Sequence, residues 1–254
     1  MNEAFPLPGL PPRTTIDVWR LDLDRPVENA NLGDILSAEE RNRADRFVFG
    51  KDAARFRLCR AMLRMGLAWY LDKAPREIAL TEGWRGKPCL AEPSRLYFNV
   101  SHCDGLGLIA FTTVGEIGID VEGVQRDVEA LDIARSNFTK REAAMIAAAG
   151  TPEEQAMVFL RLWTRKEAVL KADGCGILDG LDSVDVSQPL ANPVVLRSGQ
   201  DEIGESCWQV RDLEGIDGFA GAIAAPPGDW SVLQWPIRCE DAIRRFAARF
   251  PGVL

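Results

Sequence analysis

The chain is poor in the side chains that most hydrolytic and zinc chemistry needs. Among its 254 residues there is one histidine, His102, and there are two tyrosines. Schemes that require a pair of histidines, including most zinc sites, are therefore disfavoured from the start. The six cysteines (Cys59, Cys89, Cys103, Cys175, Cys207 and Cys239) make no C-x-x-C pair and show no metal-ligand spacing. With no secretory leader in the sequence, they are expected to be reduced thiols in a cytoplasmic protein. No apolar run approaches the ~20 residues of a membrane span, so no membrane partner is expected. The net charge of −8 argues against nucleic-acid binding over the whole surface. What is present, 46% hydrophobic and 27% charged residues, suits one large or two small globular units with a substantial core.

The most informative stretch is Glu116-Ile117-Gly118-Ile119-Asp120-Val121-Glu122. Read with a period of two, Ile117, Ile119 and Val121 share one apolar face, while Gly118, Asp120 and Glu122 share the other. Two carboxylates one pleat apart repel unless a cation lies between them, and a hard ion such as Mg²⁺ favours carboxylates with phosphate oxygens. The other reading is the solvated face of an antiparallel strand. The glycine beside the carboxylates is expected to admit another chain or a ligand at close range.

Residues 1–14 read as a loosely held proline-rich arm. The alternation over 15–23 predicts a strand, as do 96–100 and 106–112. Beyond Ser183 further strands are expected at 184–186, 194–196, 208–210, 219–223 and 231–235, followed by a helix over about 240–250. Ser37 and Glu40, and Thr139 and Glu142, have capping-box spacing and should open helices. From Arg41 to Arg64 there are eight basic residues against Asp45 and Asp52. This segment is either a solvated helix face or a seat for phosphates or an acidic partner. A helix over 51–71 would place Ala54, Leu58, Met62, Met65 and Trp69 on one stripe. Gly83-Trp84-Arg85-Gly86-Lys87-Pro88 is a glycine-rich turn with two cations but without P-loop spacing.

The best-marked helix opens at Thr151-Pro152-Glu153-Glu154 and stops at Gly174. It would put Glu167 inside an apolar stripe with Ala156, Leu160, Trp163 and Leu170. A carboxylate there needs a partner or a metal; the alternative is a surface pair with Lys171.

Four motifs now stand in order: Gly86-Lys87-Pro88, Phe98-Asn99-Val100-Ser101-His102, Gly118-Ile119-Asp120-Val121-Glu122, and Trp163-Thr164-Arg165-Lys166-Glu167-Ala168-Val169-Leu170-Lys171. Together they resemble the Sfp-type 4′-phosphopantetheinyl transferases over residues 37–186. The resemblance implies an α+β fold of two similar halves about a pseudo-twofold axis, with the active site in the cleft between them. The expected division is an arm at 1–14 and halves at 15–114 and 115–254.

It implies transfer of the phosphopantetheine arm of coenzyme A to a serine of an acyl or peptidyl carrier protein, releasing adenosine 3′,5′-bisphosphate. Asp120, Glu122 and Glu167 match the Mg²⁺ carboxylates, and Glu167, supported by Lys171, or a metal-bound water matches the catalytic base. Coenzyme A contacts are implied for Arg43, Arg55, Lys87, Ser101, His102, Lys166 and Lys171. A monomer is enough for such a cleft. Cys103 stands where serine is more usual, and Glu40 where some members carry lysine. A landing surface for the carrier is expected within Arg41–Arg64, with Arg57 and Arg64 as its test positions. Two other readings remain: a Mg²⁺-dependent pyrophosphohydrolase acting on coenzyme A or a nucleotide, and a non-catalytic coenzyme A- or carrier-binding protein.

Overall fold

The computed structural model describes residues 5–25, 27, 32–83, 86–124, 129–174, 181–187, 194–198 and 206–251, with only the backbone described at 194–198 and 206. Met1–Ala4 of the arm, Trp84 and Arg85 of the glycine-rich turn, and Cys175 lie outside the described residues.

Two four-stranded sheets form the frame. The first begins with β1 (Thr15–Asp22), followed by the helices α1 (Ala38–Ala44) and α2 (Gly50–Leu71). A small hairpin, β2 (Leu80–Glu82) and β3 (Pro88–Leu90), leads to the antiparallel pair β4 (Tyr97–Cys103) and β5 (Leu106–Thr112). The second begins with β6 (Gly118–Gly123), followed by α3 (Ala130–Asn137), α4 (Lys140–Ala147) and α5 (Pro152–Asp173). It is completed by β7 (Val194–Ser198), β8 (Ser206–Asp212) and β9 (Phe219–Ala225). The same plan appears twice. A strand leads into a 22-residue helix, then a hairpin whose second strand pairs antiparallel with the first strand, giving β1-β5-β4 and β6-β9-β8.

The chain then departs from a simple two-part division. β10 (Ser231–Ile237) returns to pair parallel with β1, and α6 (Cys239–Arg249) buries Cys239, Ala242 and Phe246 in the core that also holds Met62 and Met65 of α2. The expected cut at 114/115 therefore separates the two starting strands but not the two packing units.

The helix starts follow from local chemistry. Ser37, Thr139 and Thr151 each accept a hydrogen bond from the third helical backbone N–H, and Glu40, Glu142 and Glu154 reach back to the cap. Gly174 ends α5 in the left-handed region at φ 80°, where a residue without Cβ meets no penalty.

Three expectations are corrected. The arm is anchored from Phe5 onward: its ring lies 5.4 Å from Trp19 and 5.2 Å from Trp69, and Trp69 donates to the Pro6 carbonyl at 3.1 Å. Residues 184–186 are not a strand. The Val184 carbonyl accepts from Lys166 and the Val186 N–H donates to Glu142, so this backbone is held by side chains rather than by a ladder. On α2, Ala54 is exposed and the buried face starts instead with Ala53 and Phe56.

Candidate active site at the seam of the two sheets

The period-two reading of β6 holds on both faces. Ile117, Ile119 and Val121 are buried in an apolar cluster with Val18 and Leu108 of the first sheet. The opposite face is covered by α5. A methyl group on Gly118 would stand 1.9 Å from the carbonyl oxygen of Ala168 and 2.5 Å from the backbone nitrogen of Ala172. The close approach that this glycine permits is thus that of a helix backbone, and it brings Glu167 and Lys171, one turn apart, over Asp120. The apolar-stripe picture of α5 is corrected as well. Thr164 through Leu170 are all buried, because that part of the helix lies between the second sheet and α3 and α4.

Lys171 uses three donors here. Its ammonium lies 2.6 Å from Asp120 Oδ1, 3.2 Å from Ser101 Oγ and 3.2 Å from the Ile119 carbonyl. Ser101 in turn donates to Asp120 Oδ1 at 2.9 Å. One oxygen of Asp120 is fully engaged, and the other, Oδ2, is buried without a hydrogen-bond partner, as is Oε1 of Glu167. Burial, the Asp120 carboxylate and then that of Glu122 push the Glu167 carboxyl up to about 7, against the pull of Lys171. Two orphaned acceptor oxygens beside a third carboxylate are the electrostatic situation that a hard divalent cation relieves. Among the described residues no three such donors converge into a finished cage. The donor set nevertheless fits a hard cation that completes its shell with phosphate oxygens.

The two sheets meet at the edge strands β4 and β6. Asn99 Oδ1 accepts the backbone N–H of Ile119 at 3.0 Å, which satisfies an edge-strand donor and fixes Ser101 opposite Asp120. Asn99 lies within a sequence motif, but its spacing there signals no such task. Cys103 extends the same row: its thiol lies 3.4 Å from Glu122 Oε2 and 3.4 Å from Asp104 Oδ2, and burial pushes it up to about 12. It is a protonated neighbour of the carboxylates rather than a nucleophile.

His102 follows Ser101 at the exposed end of β4. Partial desolvation of the ring, then Lys171, Arg55 and Arg43, hold it below the usual imidazole range. Arg55 is engaged by Asp24 in a bidentate pair at 2.6 and 2.8 Å, and that pair brings Asp24 down to about 2. Arg43 lies over the Phe56 ring at 5.4 Å and lines a cavity of about 600 Å³ with Glu40, Arg60, Arg64 and Arg76. Lys87 stands apart from this group. It bonds Glu116 at 2.7 Å and the Ala172 carbonyl at 3.2 Å, in a cavity of about 550 Å³ with Tyr97 and Asp173.

Two sequence-based assignments are corrected by position. Lys166 does not line the seam: it is fully buried, pairs with Glu142 at 2.6 Å and donates to the Leu181 carbonyl at 2.7 Å. Arg64 cannot belong to a landing surface, because it is 5% exposed and bonded to Glu40 and to the carbonyls of Pro75 and Ile78. Glu142 was legible only as a capping residue, and Asp24 carried no signal.

Fold and site together define an α+β protein of two repeated strand–helix–hairpin units, with acidic and basic groups gathered at their seam. Residues 116–224 match the 4′-phosphopantetheinyl transferase superfamily, and residues 25–113 match the N-terminal region described for 4′-phosphopantetheinyl transferases. The chain is 32% identical over 225 residues to the 4′-phosphopantetheinyl transferase HetI of Nostoc sp., covering 87% of this chain and 91% of that protein. It is 32% identical over 174 residues to the 4′-phosphopantetheinyl transferase Sfp of Bacillus subtilis, covering 66% and 75%. Against the L-aminoadipate-semialdehyde dehydrogenase-phosphopantetheinyl transferase of Mus musculus it is 28% identical, covering 76% and 68%. The chain belongs to the 4′-phosphopantetheinyl transferase superfamily. No helix among the described residues is long and apolar enough to cross a membrane.

Proposed function

We propose that this protein transfers the 4′-phosphopantetheine arm of coenzyme A to a serine hydroxyl of an apo carrier protein at the seam between β4, β6 and α5. The serine oxygen forms a bond to the β-phosphorus of the pyrophosphate. The bond from that phosphorus to the bridging oxygen breaks, and adenosine 3′,5′-bisphosphate leaves with the electron pair. The observation that carries this reading is the pair of buried, partnerless oxygens, Asp120 Oδ2 and Glu167 Oε1.

Asp120, Glu122 and Glu167 would hold Mg²⁺, which supplies charge neutralisation on the pyrophosphate when bound. Lys171 fixes Asp120 and Ser101 in one arrangement and places positive charge at the seam. Glu167, pushed up to about 7 while no cation is present, or a water held beside it, would accept the serine proton. Neutral His102, with Arg43 and Arg55 acting on it, is ready to receive an anionic phosphate, and Lys87 serves a more distant part of the nucleotide. Asp24 must yield part of its hold on Arg55 for a phosphate to bind there. All of these side chains come from one chain, so a monomer suffices.

The test is intact-protein mass spectrometry of an apo carrier protein incubated with this protein, coenzyme A and Mg²⁺, with a chelator control. The expected result is a gain of one phosphopantetheine arm on the carrier that the chelator abolishes. Coenzyme A cleavage with no carrier modified, across carriers from several pathways, would instead establish a pyrophosphohydrolase.

A further inference from the structure

Among the described residues one run of three consecutive large apolar side chains is exposed: Phe47 at 39%, Val48 at 89% and Phe49 at 69%. It forms the connection between α1 and α2. Phe47 is tethered from below, its ring 5.4 Å from that of Phe56, which itself lies beneath the Arg43 guanidinium. Val48 and Phe49 have no such cover. Exposed Arg46 and Lys51 flank them, and Asp45 beside them is answered by Arg57 at 2.6 Å. The tip is therefore apolar at its centre and basic around its rim, on a protein whose net charge is −8.

We infer that Phe47-Val48-Phe49, with Arg46 and Lys51, is a docking surface for an acidic protein. Resting on the transferase reading above, that protein is the carrier whose serine is modified. Charge complementarity selects the occupant. The whole molecule repels an acidic partner, and fields from distant groups fade within a Debye length of about 8 Å at physiological salt. A local basic rim then decides where the partner lands, and a dry apolar centre supplies the affinity. The position also fits. Phe49 caps α2, and Arg55 follows about 9 Å further along the axis. Arg55, Asp52 and Arg43 act on the charge of His102 at the seam, so the first turns of α2, which start at this tip, lie toward the groups assigned above to coenzyme A. The basic segment seen in the sequence thus acquires a specific tip, one that excludes buried Arg64.

The test measures carrier modification by the full-length protein at varied carrier and varied coenzyme A. Val48→Glu adds charge at an 89% exposed position, so folding is not at stake; Arg46→Glu reverses the rim. Both are expected to raise KM for the carrier about tenfold, roughly the 1.4 kcal/mol of one good contact, with kcat and KM for coenzyme A unchanged. In about 0.5 M NaCl the effect of Arg46→Glu should shrink and that of Val48→Glu persist, since salt screens the rim but not the apolar centre. An unchanged carrier KM in Val48→Glu overturns the inference, as does an equal rise in KM for coenzyme A. Binding of the wild type to anionic phospholipid vesicles that Val48→Glu abolishes would assign the tip to a membrane surface. A dimer in sedimentation velocity that the same variant dissolves would assign it to a second copy, and either result overturns carrier docking. A wild-type protein that modifies no carrier overturns the transferase reading, and this inference with it.

Discussion

Replacing Lys166 by Met is expected to be among the most destabilising single substitutions on α5, although it touches neither the carboxylates nor the seam. Lys166 and Glu142 are both 0% exposed and 2.6 Å apart. Burial pulls the Lys166 ammonium down and the adjacent Glu142 carboxylate opposes that pull. Without the lysine, Glu142 is left as a buried carboxylate with no counter-charge, and the carbonyls of Leu181 and Val184 lose a donor. Breaking a buried pair from one side costs about 3–5 kcal/mol. Removing the carboxylate entirely would not be a remedy. Glu142 also accepts the backbone N–H of Val186 at 2.8 Å and that of Thr139 at 3.0 Å, and orphaned buried donors cost about 1–3 kcal/mol each. The discriminating variant is Glu142→Gln in the Lys166→Met background, which discards the charge and keeps an acceptor. It should recover about 1–3 kcal/mol of the loss. Urea unfolding followed by tryptophan fluorescence, with the slope m held equal, gives the comparison. A Lys166→Met loss below about 1 kcal/mol, the range of an exposed pair, would refute the buried-pair reasoning. So would a double variant less stable than the single.

Further outcomes follow from the seam. In the chelated protein, Glu167 is held up to about 7 against an ordinary 4.5, so the folded state binds its proton more tightly than the unfolded state. That contribution is complete below about pH 4.5 and is lost as pH rises through about 7. It amounts to about 3 kcal/mol. Stability measured across that window should therefore decline more steeply in the parent than in Glu167→Gln, and parallel curves would contradict the assignment. Mg²⁺ should stabilise the parent above pH 7 and leave Glu167→Gln unaffected in thermal unfolding; equal shifts would place the ion elsewhere. Lys171→Met removes the one cation that draws Glu167 down, so the acid limb of the transfer rate should move to higher pH, and an unmoved limb would separate Lys171 from Glu167. Asn99→Ala orphans the Ile119 N–H and should cost about 1–3 kcal/mol in urea, with a smaller loss indicating that water reaches that donor.

Much of the frame was legible because it depends on neighbours in sequence. The capping boxes at Ser37, Thr139 and Thr151, the alternation through Ile117, Ile119 and Val121, and the glycine stop at Gly174 each act within a few residues. The carboxylate set was legible for a similar reason, since the pleat puts Asp120 and Glu122 together and the helical repeat puts Glu167 by Lys171. What misled was adjacency. Lys166 lies next to Glu167 in the chain, but consecutive helical positions point about 100° apart, and Lys166 turns toward Glu142 while Glu167 turns toward β6. Residues 184–186 look like a strand because valines alternate there, yet their backbone partners are side chains from α4 and α5, more than ten residues away. Arg64 is the same residue type as half-buried Arg57 and differs in facing Glu40 and the carbonyls of Pro75 and Ile78. The anchoring of the arm needed Trp19 and Trp69 both to meet the Phe5 ring, and no local pattern announces that.

The return of β10 to the first sheet sets an order of events on the ribosome. β1 emerges well before β10, and Asp17 within it accepts hydrogen bonds from Tyr70 at 2.8 Å and from Trp235 at 3.0 Å. The first of these can form once α2 is out; the second must wait until β10 has been translated. For that interval one flank of β1 presents uncovered peptide groups, the kind of edge that invites pairing with other chains. β10 is thus a closing seam for a much earlier part of the fold. Nascent chains stalled before residue 231 should be the species that chaperones hold longest.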